Sequence, residues 1–276
     1  FWLMTDSQNF VFSTNDLFQS INYSDDEIVA FCSAISLSPL EANTYLKKRT
    51  QIIKNPSFQL TEMSPFVRYP ILKLGDEYYV YSQKVLEGTI RNIFYDVMKS
   101  DGGSPLSELF GIELEKYIDR GLSTLGMDYY TENDLFREFP GHNVTDFLVP
   151  FPELTLMIEV KAVEMRPIVR VNPRDEPLKR ELKDSIIKGT IQGFSLARSL
   201  KQKQDNLDID ERSEFFLMIV TYKDIYLGDS DIVWNEFLGE SVESNLLQKK
   251  IDQALIPPDR IIILSIDEFD QLISIL

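Results

Sequence analysis

Residues 143–163, NVTDFLVPFPELTLMIEVKAV, constrain the fold more than any other stretch. Two β-rich runs, Asn143 to Val149 and Leu156 to Ala162, flank Pro150 to Thr155, a connection rich in turn-forming proline, so the segment is expected to be a hairpin. With the turn centred between Pro152 and Glu153, Asp146 falls opposite Glu159, and Leu148 faces Met157 on the same side, where Val144 also faces Lys161. Phe147 with Ile158, and Thr145 with Val160, share the other side. One side is then apolar and the other carries the charge. Two carboxylates opposite each other, with Cβ atoms roughly 5 Å apart, repel. A hard divalent cation between them relieves that repulsion, because Mg²⁺ takes one or two carboxylates plus water and phosphate oxygens. Lys161, two residues beyond Glu159 and on the same side, can balance charge, orient a water and stabilise a charged transition state. A solvated edge hairpin would show the same pattern. Glu-x-Lys also recurs at Glu181-Leu182-Lys183, which reads as the solvated face of a helix.

Counting removes most other chemistries. The 276 residues contain one cysteine, Cys32, and one histidine, His142, which excludes Cys/His zinc sites and reactions needing two histidines. A single cysteine also excludes an intramolecular disulfide and fits a reducing compartment, so a cytoplasmic location is expected. No G-x-x-x-x-G-K-[ST], G-x-G-x-x-G or G-x-S-x-G occurs, which leaves nucleotide-binding and serine-hydrolase readings without support. No run approaches the roughly 20 apolar residues of a membrane span, and Phe1-Trp2-Leu3-Met4 is too short for a signal-peptide core. A chain that starts on Phe1 leaves room for processing or for domains in a longer protein. Chemistry here rests on carboxylates, lysines and amides.

The remaining pattern predicts an α/β fold: a mixed central β-sheet flanked by helices, preceded by an N-terminal helical extension over residues 1–60, with the main domain over 61–276. Helices are expected at Asp25 to Ile35 and at Pro39 to Lys48, the second opened by Ser38 as N-cap and Pro39 in the first turn. Phe66 to Tyr81 reads as a hairpin about Gly75-Asp76. A helix over Gln83 to Lys99 is expected to stop at Asp101-Gly102-Gly103-Ser104-Pro105, with a second helix over Pro105 to Leu125. A short strand follows near Phe136 to Phe139. After the central hairpin come an irregular arm, a helix from about Leu178 to Lys203, a strand at Phe215 to Tyr222, a helix at Ile232 to Ala254 and a strand at Arg260 to Ser265.

In order and spacing these residues resemble the PD-(D/E)XK nuclease superfamily: an acid on a preceding helix, an Asp opening a hairpin, and Glu-x-Lys on its second strand. The resemblance spans roughly Pro105 to Leu200 and implies a restriction-endonuclease-like core. It implies that Asp146 and Glu159 bind Mg²⁺ or Mn²⁺ and that Lys161 is the catalytic lysine. The helix text FGIELEKYI is similar to the family's G-x-x-[FL]-E-x-Y pattern and selects Glu115 as the helical acid. Glu113 is the competitor and by helical angle lies nearer the apolar face, whereas Glu115 shares a side with Gly111, Ile118 and Leu122. Several branches draw a Gln or Lys from the next helix, where Gln192 is preferred over Lys188 because it sits among Ile187, Ile191, Phe194, Leu196 and Leu200 and needs a polar partner. Thr145 stands where the family name has proline, and Leu196 where some branches have tyrosine.

Net charge speaks against a self-sufficient nucleic-acid binder. It is −16, which repels a polyanion at long range. Residues 161–203 run the other way, with 11 Lys or Arg against five acids, and Arg166, Arg170 and Arg174 on the proline-punctuated arm are expected to grip phosphates. A basic solvated loop is the alternative reading of that arm. The expected activity is therefore Mg²⁺-dependent hydrolysis of nucleic-acid phosphodiesters, DNA before RNA, with salt-sensitive binding helped by a homodimer or a partner subunit, in the setting of bacterial repair or antiviral defence. The alternatives are an inert binding or assembly module on the same fold and a small-molecule phosphoesterase.

Overall fold

The computed structural model describes residues 11–13, 23–49, 65–163, 182–202, 207, 209, 212–225 and 229–275. Two compact units part at Ser104/Pro105. The sequence divides the chain near residue 60 instead, and it misses that the first unit carries a sheet of its own.

In the first unit, β1 (Val11–Ser13), α1 (Asp25–Ala34), β2 (Ser36–Leu37), α2 (Pro39–Arg49), β3 (Ile71–Leu74) and β4 (Glu77–Val80) follow in order. The strands form a sheet ordered β1-β4-β3-β2. Both helices start as the sequence predicts. Ser24 and Glu27 form a capping box at α1, and Ser38 and Glu41 form the same reciprocal pair at α2. The hairpin turns where expected: Leu74 pairs with Glu77 across Gly75-Asp76, and Gly75 adopts φ +61°, which a side chain would strain. Ile28, Cys32, Ile35, Ile71, Tyr78 and Leu86 make the core of this unit.

Helix α3 runs unbroken from Gln83 to Thr124, which corrects the expected stop at residues 101–105. Pro105 lacks the N–H that would bond one turn back, yet the helix continues through it. The breaker residues mark instead the point where the units part.

The second unit holds β5 (Tyr130–Thr131), α4 (Glu132–Glu138), β6 (Phe147–Pro150), β7 (Leu154–Lys161), α5 (Lys188–Gln202), β8 (Glu214–Thr221), α6 (Gly239–Lys249), β9 (Ile261–Ser265) and α7 (Ile266–Ile275). A π-helical turn at Lys183–Ile187 leads into α5; the rest of the expected helix start, 178–181, lies outside the described residues. The helix expected over Ile232 to Ala254 is a turn at Ser230–Ile232, a π-helical stretch at Val233–Leu238, and α6, which ends where Lys250 turns left-handed at φ 53°. Phe136 to Phe139 is not a strand. Thr131 accepts from Asp134 N while the Asp134 carboxylate takes Thr131 N–H, and this capping box starts α4 instead.

The sheet is five-stranded and mixed, ordered β5-β6-β7-β8-β9. β5, β6 and β7 are antiparallel, and β7, β8 and β9 are parallel. The β6–β7 register is the one read from the sequence: Phe147 pairs with Ile158 and Leu148 with Met157. The strands themselves are shifted, to Phe147–Pro150 and Leu154–Lys161, which tightens the turn to Phe151-Pro152-Glu153.

β7 lies in the middle of the sheet, so the picture of an edge hairpin with one solvated face does not hold. Apolar side chains cover both faces. Leu148, Met157, Leu217 and Ile219 pack with Phe194, Ala197, Trp234 and Leu238 on one face. Phe147, Ile158, Val160, Met218 and Val220 pack with Leu114, Ile118, Leu122 and Phe269 on the other. Burying a large apolar side chain contributes roughly 1.5–3 kcal/mol, so two covered faces hold β7 and β8 in place. The approach of α5 is close: a Cβ built at Gly193 would come within 2.8 Å of Leu217 Cδ1.

Candidate functional site

The ladder that sets Phe147 opposite Ile158 brings Asp146, one residue before β6, next to Glu159. Asp146 Oδ2 accepts the backbone N–H of Val160 at 2.6 Å, which anchors the loop residue to the strand. Glu159 is fully buried. Its Oε1 accepts from Lys161 Nζ, and its Oε2 has no hydrogen-bond partner. An ionised carboxylate out of water needs either a counter-charge or a proton. Only half of Glu159 has the first. Burial, and secondarily Asp146, push its carboxyl up to about 8, against the opposing pull of Lys161. Asp146 is raised as well, chiefly by burial, and held back by the Val160 N–H and Lys161.

Helix α3 supplies a third acid. Glu115 is half-buried and raised to about 7 by burial, then by Asp146 and Glu132, with Lys161 opposing. Glu113 points away: it is exposed and bonded to Lys116 at 2.7 Å, which lowers its carboxyl below the usual range. The buried stripe of this helix is Leu114, Ile118 and Leu122, so the reading that set Glu113 nearer the apolar face is corrected.

A fourth acid, Glu132, was missed. It opens α4 beside the capping Thr131 and, although exposed, is raised by partial loss of water and by Asp146, again opposed by Lys161. The pattern Thr131-x-x-Asp134 is a capping-box signal that could have set this helix start, and hence Glu132, from the text alone.

The roof of the site is α5. A Cβ at Gly189 would stand 3.0 Å from Glu159 Cγ and 3.3 Å from Lys161 Cε, so the helix lies directly on both side chains only because residue 189 has none. One turn on, Gln192 donates from Nε2 to the carbonyl of Val144 at 3.3 Å, two residues before Asp146. Its buried Oε1 has no partner. The expected need for a polar contact is thus half met. Lys188 is exposed. Thr145 is buried and donates to the Phe147 carbonyl, and Leu196 lies in the core. His142 bonds through Nδ1 to Ser199 Oγ at 2.7 Å. Arg166, Arg170 and Arg174 lie outside the described residues.

Together, strand β7, the residue before β6 and the helices α3 and α4 gather Glu115, Glu132, Asp146, Glu159 and Lys161, four acids about one cation. Among the described residues, no three Asp, Glu, His or Cys side chains already stand in an ion-holding arrangement. Like-charged groups that repel across a partly dry site do not close on one another unaided.

The fold and site define an α/β protein with a mixed sheet covered by helices and a partly buried carboxylate–lysine cluster. No family model, no curated protein and no solved structure matches the chain. No helix of the described residues is long and apolar enough to cross a membrane.

Proposed function

We propose that the chain is a divalent-cation-dependent nuclease of the PD-(D/E)XK type with a restriction-endonuclease-like core, hydrolysing phosphodiester bonds of nucleic acid, DNA by preference. The observation that carries this reading is Glu159 Oε2, a fully buried carboxylate oxygen without a partner beside Asp146 and above Lys161. A cation fits that donor set, since hard oxygen ligands from carboxylates are what Mg²⁺ and Mn²⁺ take. Asp146 and Glu159, joined by Glu115, would hold it. A bound divalent cation supplies Lewis-acid stabilisation of charge on a phosphate oxygen.

The remaining work falls to the chain itself. With Glu159 committed elsewhere, the Lys161 ammonium is free to donate to a phosphate oxygen or to an attacking water, where positive charge favours the developing anion. The Gln192 amide sits over the segment leading into Asp146 and positions it. The covered sheet faces keep bulk water from Glu159, which strengthens its interactions with neighbouring charges.

One observation favours the inert-scaffold reading: the Lys161–Glu159 ion pair neutralises a carboxylate without any metal ion. It leaves Oε2 orphaned, and a purely structural core would gain by replacing Glu159 with an apolar residue.

The test is incubation with plasmid, linear and single-stranded DNA and with RNA, in Mg²⁺, Mn²⁺ or EDTA. Cleavage with either cation, abolished by EDTA, is the expected result; products in EDTA, or none with any substrate, overturn the reading. With a net charge of −16 binding should be weak, a partner subunit or homodimer would supply the grip, and phosphate contacts by Arg166, Arg170 and Arg174 would make it fall with salt. Bacterial repair or antiviral defence in the cytoplasm is the setting such chemistry suits.

Gly189→Ala probes the roof. A methyl 3.0 Å from Glu159 Cγ must displace the side chain or the helix. A shift of this kind is expected to lower kcat by about tenfold or more with the fold retained, measured by cleavage rate alongside circular dichroism.

A further inference from the structure

The row of carboxylates does not end at Asp146. The β5–β6 ladder ends with Thr131 paired to Phe147, so Glu132, the first residue of α4, follows directly after β5 as Asp146 directly precedes β6, and the two carboxylates feel one another. The β6–β7 ladder carries the same line to Glu159, and β7–β8 carries it to Ile219. Adjacent residues across a sheet share a face. Glu132 at the start of α4, Asp146 just before β6 and Glu159 within β7 therefore follow one another across neighbouring elements, where packing would favour apolar or opposite charges.

Local structure does not explain Glu132. The cap of α4 is made by Thr131 and Asp134, and Glu132 forms no hydrogen bond or ion pair with the described residues. An acid in a first helical turn gains a few tenths of a kcal/mol from the helix N-terminus, but this one stands near enough to Asp146 to be disfavoured by it. At the other end of the row lies a fully buried carboxylate oxygen with no partner, Glu159 Oε2. Acids gathered beside a buried, unpartnered carboxylate oxygen gain from a bound positive charge.

We propose that Glu132 is a further cation-holding carboxylate, reaching the site from the first turn of α4 on the far side of Asp146 from Glu159. The inference rests on the metal-dependent reading of the Asp146–Glu159 site and adds a residue to it. The electrostatic coupling agrees: Glu132 raises the carboxyls of both Glu115 and Glu159.

The test is Mn²⁺ binding to the full chain without nucleic acid, followed by titration calorimetry and by the rise in melting temperature that Mn²⁺ produces. Glu132→Gln keeps the shape of the side chain and removes its charge. It is expected to weaken the Mn²⁺ Kd by about tenfold or more and to shrink the Mn²⁺-induced rise in melting temperature. In EDTA the variant should melt at or above the parent, because a like charge has left the row. A purely structural Glu132 would do the reverse, lowering the EDTA melting temperature and sparing the Kd. Glu113→Gln, exposed on α3, should leave the Kd unchanged.

Wild-type affinity in Glu132→Gln overturns the inference even if the protein cuts DNA, and so does a parent that binds no Mn²⁺. A parent that binds Mn²⁺ through Glu132 yet cleaves nothing would sink the nuclease reading and leave the inference standing.

Discussion

Lys161→Ala should lower the rate of cation-dependent cleavage by about 10³-fold, the range expected when a positioned charge or proton-transfer group is removed from the transition state. The side chain is only 19% exposed and its ammonium already lies on the Glu159 carboxylate, so no other cation among the site residues can take its place. The same substitution leaves Glu159 buried with neither oxygen paired. Truncating one partner of a buried ion pair costs more than the pair contributes, and the variant is expected to melt lower as well. Lys161→Met keeps the stem that packs near Gly189 and removes only the charge, so a loss of activity in it cannot be laid to lost packing. Both variants should be folded by circular dichroism and inactive on DNA. If either cuts at the parent rate, Lys161 has no part in the chemistry and the proposed mechanism fails.

The second large effect is a separation of stability from activity at Glu159. Its carboxyl is raised from an ordinary value of 4.5 to about 8 in the folded protein, mainly by burial and next by Asp146. A group that binds its proton more tightly when folded contributes stability that is complete below its unfolded value and is lost as pH rises through its folded one. In EDTA the protein should therefore lose stability between about pH 4.5 and pH 8. Glu115, raised to about 7, adds to the same slope over the lower part of that window.

Glu159→Gln removes the titration while keeping the shape. It is expected to flatten the slope without abolishing it, because Glu115 remains, and to be more stable than the parent at pH 8 by an amount on the order of a few kcal/mol. It should cleave nothing at any pH. Adding Mn²⁺ at pH 8 should raise the melting temperature of the parent and not of the variant. A parent whose melting temperature in EDTA is flat from pH 5 to 8 would mean that Glu159 is not the buried, under-compensated acid described here.

Several elements were legible in the text because their causes are local. Gly75-Asp76 marks a two-residue turn that only a residue free of a side chain enters easily, and the hairpin forms there. Ser38 and Pro39 announce a helix start as N-cap and first-turn proline, and the helix begins there. Period-two alternation about the Pro150–Thr155 connection set the β6–β7 register to the residue, and with it the pairing of Asp146 and Glu159. A slip of one would have turned both carboxylates to the other face.

Local signals also misled where two of them competed. Phe136 to Phe139 reads as a short strand, but the Thr131 capping box acts first and winds the segment into α4. Asp101 to Pro105 carries every mark of a helix end, and α3 passes through it.

The amino-acid sequence by itself determined the hairpin, its register, the side of the strand on which Asp146, Glu159 and Lys161 lie, and the helix that carries Glu115. Backbone sterics, side-chain alternation and capping act over a few residues, so they can be read in order along the chain. Only the tertiary structure decided that β7 is central, that Gly189 lets α5 lie on Glu159 and Lys161, and that Glu115 rather than Glu113 turns inward. It alone brought Glu132 up to Asp146, because the β5–β6 pairing that ends beside them joins Thr131 to Phe147, far apart along the chain. Burial of Glu159 is likewise a property of packing from both faces of the sheet, and burial is what turns an ordinary Glu-x-Lys into a site under electrostatic tension.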